Sequence, residues 1–117
     1  MKVSKHFKAT EFKCKCGCGF GEINKDLIII LEDIREHFNS PVIITSGCRC
    51  KQHNHIVGGK ANSQHLFGNA SDIKVKGVSP EIVADYLESK YINKYGIGRY
   101  LTFTHIDVRK GKARWGI

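Results

Sequence analysis

Between residues 46 and 71 the sequence reads SGCRCKQHNHIVGGKANSQHLFGNAS, with Gly and Asn breakers throughout and neither helical nor strand periodicity. Long connections without regular structure are uncommon in compact domains and are usually functional. In a chain of 117 residues such a segment leaves little for the core, so the flanking stretches must supply the packed elements of one domain, residues 1–117.

Those stretches carry clear patterns. Residues 1–22 read as an N-terminal arm, with His6, Phe7 and Phe12 as anchors followed by a Gly- and Cys-rich loop. Asn24 is a helix N-cap, with Asp26 in the first turn where the helix dipole favours an anion. Leu27, Leu31, Ile34 and Phe38 recur at the spacing of one helical face, and Asn39-Ser40-Pro41 ends that helix. Val42–Thr45 is a short β-branched strand, and Ile73 and Val75 alternate with Lys74 and Lys76 as a half-buried one. Ser79-Pro80-Glu81 starts a second helix through Ile82, Val83, Tyr86 and Leu87. Residues 97–101 and 103–108 then read as two strands, with Arg114-Trp115 near the end. This order predicts an α+β fold: a small, mainly antiparallel sheet with flanking helices and a long active-site loop.

Composition narrows the function classes. The longest apolar run, Leu27–Leu31, is far short of the roughly 20 residues that span a bilayer. The N-terminal residues MKVSKHFKATEF lack the apolar core of a signal peptide, so the expectation is synthesis in a cytoplasm. Nineteen Lys and Arg against 11 Asp and Glu give a net charge of +8. Such a surface fits nucleic acid, an anionic membrane or a cell-wall polyanion, and charge alone selects none of them. Five cysteines form two clusters, Cys14, Cys16 and Cys18, then Cys48 and Cys50. Four of the five could build a structural metal site, although C-x-C differs from the usual zinc-knuckle spacing. Reduced thiols, or a bridge from the arm to Cys48 or Cys50, are the alternatives.

The chemistry-bearing residues converge on the long segment and the last strand. His65 and Asp72 lie across a Gly-containing turn, and His105 and Asp107, two apart on a strand, point to one face. Two imidazoles and a carboxylate make a catalytic zinc set with the fourth position open. His6 and His37 read as surface or hydrogen-bonded histidines. His53 and His55 are weaker candidates for acid or base work.

The pattern S-G-x-R, H-N, V-G-G and N-S-x-H-x-x-G-x-A-x-D-I, followed by G-I-G-x-Y and F-x-H-I-D-x-R with R-W, resembles the zinc D-alanyl-D-alanine carboxypeptidase and L-Ala-D-Glu endopeptidase family. This group of peptidoglycan peptidases includes phage endolysins and shares a fold with lysostaphin and the hedgehog signalling domain. The resemblance covers about residues 42–117, and Phe7 with Glu11-Phe12 also resembles the start of small phage-type members. It implies one zinc ion held by His65, Asp72 and His105, with Arg49 facing a substrate carboxylate or the oxyanion and Ser63 lining the substrate site. Trp115 is a candidate wall of the groove. Gly68 and Ala70 read as small residues at a close approach of backbone and metal, Gly68 alternatively as a turn. Many relatives carry a carboxylate three residues before the last zinc histidine; here that residue is Thr102, which cannot act as a base. Asp107 is therefore either the base or the carboxylate that fixes the tautomer of a ligand histidine.

The expected function is a zinc metallopeptidase acting on peptidoglycan stem peptides, as a monomer, at the bacterial cell wall and released at lysis. Anionic wall polymers are expected partners, and nucleic acid is disfavoured. The competing readings are a small zinc-bound nucleic-acid-binding or nuclease module, suggested by the string His53-Asn54-His55, and a non-catalytic wall-binding domain.

Overall fold

The computed structural model describes residues 2–116. Its first helix, α1 (Lys25–Phe38), is capped by the Asn24 side chain, which accepts from the Asp26 amide at 2.8 Å, and it ends at Asn39 in the left-handed conformation. Strand β1 (Val42–Ser46) follows. The chain next forms a short helix, α2 (Lys51–Ile56), and a 3-10 turn (Gln64–Phe67), before strand β2 (Ala70–Val75). Helix α3 (Pro80–Lys90) starts as expected from its Ser79 cap and N-terminal proline. Strands β3 (Tyr95–Arg99), β4 (Thr104–Asp107) and β5 (Lys112–Gly116) complete the fold.

The five strands form one sheet in the order β1-β2-β4-β3-β5. The pairs β1–β2, β2–β4 and β3–β4 are antiparallel, whereas β5 lies parallel to β3. The α+β expectation holds, with the refinement that the sheet is mixed and carries an edge strand beyond the predicted set. Lys112–Gly116 has no apolar alternation to announce it; the Arg114 side chain anchors it by donating to the carbonyls of Tyr95 and Tyr91 at 2.7 and 2.6 Å.

The segment 46–71 is more ordered than its pattern suggests. The Cys50 Sγ accepts the His53 amide at the start of α2, and the Ser63 hydroxyl accepts the His65 amide at the start of the 3-10 turn. Elements of six and four residues are set by such caps, because they are too short to show a period.

Strand alternation gives the sheet two unlike faces. Ile73, Val75, Ile97 and Ile106 belong to the apolar face, which packs with Leu27, Ile30, Leu31 and Ile34 of α1 and Val83, Ala84 and Leu87 of α3. Side chains on the other face include Asp72, His105 and Asp107, opposite the glycines of β3: Gly96 pairs with Asp107 and Gly98 with His105. The arm docks on the core through Phe7 and Phe12, both fully buried. Glu32 of α1 fastens it further, accepting from the Ser4 hydroxyl, the His6 amide and the His6 ring at 2.5, 2.7 and 2.6 Å.

Burial opposes ionisation of Glu32, but the hydrogen bonds from Ser4 and His6 outweigh it and lower its pKa. A carboxyl lowered on folding stabilises the protein above its unfolded value, about 4.3, and that contribution disappears as the pH falls through the lowered value. Glu32→Gln is expected to cost about 1–2 kcal/mol at pH 7, and the two proteins should converge in acid. Denaturant melts at both pH values measure this; a gap independent of pH contradicts it.

Candidate metal centre

The antiparallel register of β2 and β4 sets Asp72 directly opposite His105, so their side chains emerge side by side on the same face. The His105 Nδ1 lies 2.9 Å from Asp72 Oδ1, and its Nε2 lies 2.7 Å from Asp107 Oδ2. His65 arrives from the 3-10 turn. Its Nδ1 is 2.6 Å from the Gly47 carbonyl, which accepts the ring proton there. Its Nε2 is 3.3 Å from Asp72 Oδ1 but outside hydrogen-bond geometry, and it has no partner although it is fully buried. One donor atom from each of His65, Asp72 and His105 falls within 4.8 Å of the others.

Gly68 ends the 3-10 turn at φ 70° and packs against the Glu22 carbonyl, where any side chain would collide. Its small size serves that backbone contact and the turn. Ala70 is the small residue of the metal-centre face, paired with Asp107. Gly96 makes room for the Asp107 carboxylate, and a Cβ at Gly98 would lie 2.6 Å from the Trp115 indole. The G-I-G run of β3 thus packs Ile97 into the core and leaves the opposite face open.

Asp107 has no exposed surface and is fully engaged. Its Oδ1 accepts from the Arg109 amide and Nε at 3.1 and 2.8 Å, and its Oδ2 accepts from Arg109 at 2.7 Å as well as from His105. Arg49 donates from Nε to Ser46, from one terminal nitrogen to Asn54 and from the other to Asp72 Oδ2, at 3.1, 3.2 and 3.2 Å. Burial opposes ionisation of both aspartates. The imidazoles of His105 and His65 around Asp72, and Arg109 with His105 around Asp107, overcome it and hold both carboxyls well below the usual range. Burial disfavours the charged form of His105, but Asp107 and Asp72 together raise its pKa.

His65, Asp72, His105 and Arg49 line a cavity of about 620 Å³ that also includes Ser63, Lys60, Arg109, Tyr100, Phe103 and Trp115, with Asp107 buried behind it. The Trp115 ring sits 5.0 Å from the His105 ring and 5.0 Å from the Arg109 guanidinium carbon, and its Nε1 donates to the Tyr100 hydroxyl at 2.9 Å.

A family model described as Peptidase M15 matches residues 5–107. The chain belongs to the peptidase M15 family. Comparison with curated proteins returned no match. The family match extends through the arm and α1, further toward the N-terminus than the 42–117 resemblance, and stops before β5. M15 peptidases are zinc-dependent, and the donor set of this M15 peptidase fits the ion. Two imidazoles and one carboxylate are the usual ligands of a catalytic zinc, and the partnerless Nε2 of His65 is the buried atom that a cation satisfies.

The remaining candidates separate cleanly. Arg49, Ser63 and Trp115 line the cavity with the three ligand candidates. His53 and His55 of α2 do not line it, and Thr102 is exposed in the β3–β4 loop. His6 binds Glu32, and His37 stacks on Tyr86 with ring centroids 3.7 Å apart. Two residues of the site carry roles that sequence reasoning did not assign. Asn54, between His53 and His55, is buried and holds Arg49. Arg109 clamps Asp107; the alternation of His105, Asp107 and Arg109 is the signal that could have found it.

Replacement of His65 by Ala is expected to remove one equivalent of zinc from the protein while leaving the sheet intact, checked by metal analysis beside circular dichroism. Zinc content equal to wild type contradicts the assignment.

Proposed function

We propose that this M15 peptidase is a zinc-dependent hydrolase of D-amino-acid-containing peptide bonds in bacterial peptidoglycan. The observation that carries the reading is the buried Nε2 of His65, partnerless beside Asp72 and His105. Such an atom costs about 1–3 kcal/mol if left unsatisfied, and His65, Asp72 and His105 together would hold the ion. Bound zinc polarises a scissile carbonyl and acidifies a water molecule.

The chain's own groups prepare that chemistry. The Gly47 carbonyl accepts a hydrogen bond from the Nδ1–H of His65 and so reserves Nε2 as a ligand. Asp107 accepts a hydrogen bond from the Nε2–H of His105, which reserves Nδ1 on the side of Asp72. With both oxygens already accepting from His105 and Arg109, Asp107 is assigned here as a positioning residue, the tautomer-fixing member of the two roles weighed from sequence.

Arg49 occupies Oδ2 of Asp72 and leaves Oδ1 turned toward the two imidazoles. Three of its donors are engaged, and the guanidinium has five. The remaining two serve a substrate carboxylate or the oxyanion of the tetrahedral species. Ser63 caps the turn that carries His65 and offers its hydroxyl to the peptide, and Trp115 supplies an apolar wall for a small side chain such as a D-Ala methyl.

Substrate class is supported by charge. The cavity includes Arg49, Lys60 and Arg109, and among the described residues lining it Asp72 is the sole carboxylate. A peptide carrying free carboxylates, as stem peptides do, complements that lining. The net charge of +8 suits approach to an anionic wall, reached by the protein on lysis.

Digestion of purified peptidoglycan by the zinc-loaded protein tests the proposal, with mass spectrometry reading whether a terminal D-Ala or an internal bond is cut. Wild type should release products and His65→Ala none. Asp107→Asn is expected to weaken zinc binding about 10–100-fold and to regain activity in excess zinc. Intact peptidoglycan with zinc-loaded wild type overturns the function, and loss unrelieved by zinc in Asp107→Asn overturns its positioning role.

A further inference from the structure

The second group of metal-ligating side chains lies outside the cavity. Cys14, Cys16 and Cys18 sit on a loop closed by the Cys14 amide donating to the Phe20 carbonyl at 2.7 Å and turned by Gly17 and Gly19 at φ 84° and 93°. Cys50, the N-cap of α2, meets this loop from the other side. The sulfur of Cys14 is 3.4 Å from that of Cys16 and 3.9 Å from that of Cys50, and Cys16 and Cys50 are 3.5 Å apart. With Cys18, all four sulfurs fall within 4.8 Å of one another. Sulfurs arranged tetrahedrally at 2.3 Å around zinc are about 3.8 Å apart, so the observed spacing surrounds an ion with little rearrangement.

We propose that Cys14, Cys16, Cys18 and Cys50 hold a structural zinc ion that clips the N-terminal arm to the start of the long active-site segment. Two of the sulfurs accept backbone amides. The Cys50 amide donates to the Cys14 sulfur at 3.4 Å, and the His53 amide donates to that of Cys50 at 3.4 Å. Lys13, Lys15 and Lys51 flank the ligands in sequence, near the two negative charges that four thiolates leave around a divalent ion.

Cys48 stands apart from this group and is the fifth cysteine that a four-ligand site leaves out. It is buried, donates to the Glu22 carbonyl at 3.4 Å, and burial pushes its pKa up to about 11. All five cysteines are free, with no bridge from the arm to Cys48 or Cys50.

The clip bears on the metal centre through the segment it holds. The Phe12 carbonyl accepts the Cys48 amide at 2.9 Å, and a Cβ on Gly47 would lie 2.8 Å from that same oxygen. The strand of backbone fixed there supplies the Gly47 carbonyl to His65 and the Arg49 guanidinium to Asp72. Cross-linking segments more than 30 residues apart in sequence removes loop-closure entropy that the small core would otherwise have to offset.

Cobalt(II) substitution tests the proposal, because thiolate coordination gives an intense near-ultraviolet charge-transfer band that two imidazoles and a carboxylate do not. The reduced wild type should bind two equivalents and show the band. Cys16→Ser should lose it, whereas Cys48→Ser and His65→Ala should keep it, the latter separating this site from the metal centre. Where Cys16→Ser fails to fold, alkylation of the wild type decides: zinc should protect four thiols and a chelator should expose them. No thiolate band in the folded reduced protein, a band unchanged in Cys16→Ser, alkylation indifferent to the chelator, or two disulfides among these cysteines overturns the proposal.

Discussion

The pairing of Asp72 with His105 across β2 and β4 is the constraint on which the rest of the structure depends. A slip of one residue in that register would turn Asp72 into the helices and Ile73 onto the open face. The register is fixed from the apolar side, where Ile73, Val75 and Ile106 must meet α1 and α3. The same burial that stabilises the sheet therefore positions the face that carries the candidate metal ligands, and the two cannot be altered independently.

Polar groups buried on that face are stable because each carboxylate is met from two sides. Asp72 lies between the histidines and Arg49, and Asp107 between His105 and Arg109. Removing one partner of such a group leaves an uncompensated buried charge, which is far more damaging than loss of a surface pair. Among the described residues of that face the exception is the Nε2 of His65, an unpaired atom facing two ligand-type neighbours, and this is what marks the candidate site.

Much of this was legible in the sequence, for identifiable reasons. The helix of Leu27, Leu31 and Ile34 and the Ser79-Pro80 start were readable because their signals are local. The three zinc-ligand candidates were readable because the motif spacing is specific, and the structure brings them together in one cavity. Strand β5 was missed because an edge strand needs no apolar alternation, and α2 because a six-residue helix is set by a cysteine cap. Arg109 and Asn54 escaped because their roles are contacts to other side chains, which depend on the strand register and the turn after Cys50. The cysteine spacing left metal, thiol and disulfide open, and folding separates Cys48 from the other four.

The central claim is that His65, Asp72 and His105 form a zinc centre in a peptidase of the M15 family. The most direct measurement is anomalous diffraction at the zinc edge from crystals grown with zinc. A peak bounded by His65 Nε2, His105 Nδ1 and an Asp72 oxygen is the predicted result. Zinc-saturated crystals in which these three side chains are ordered and no anomalous peak lies between them would contradict the account.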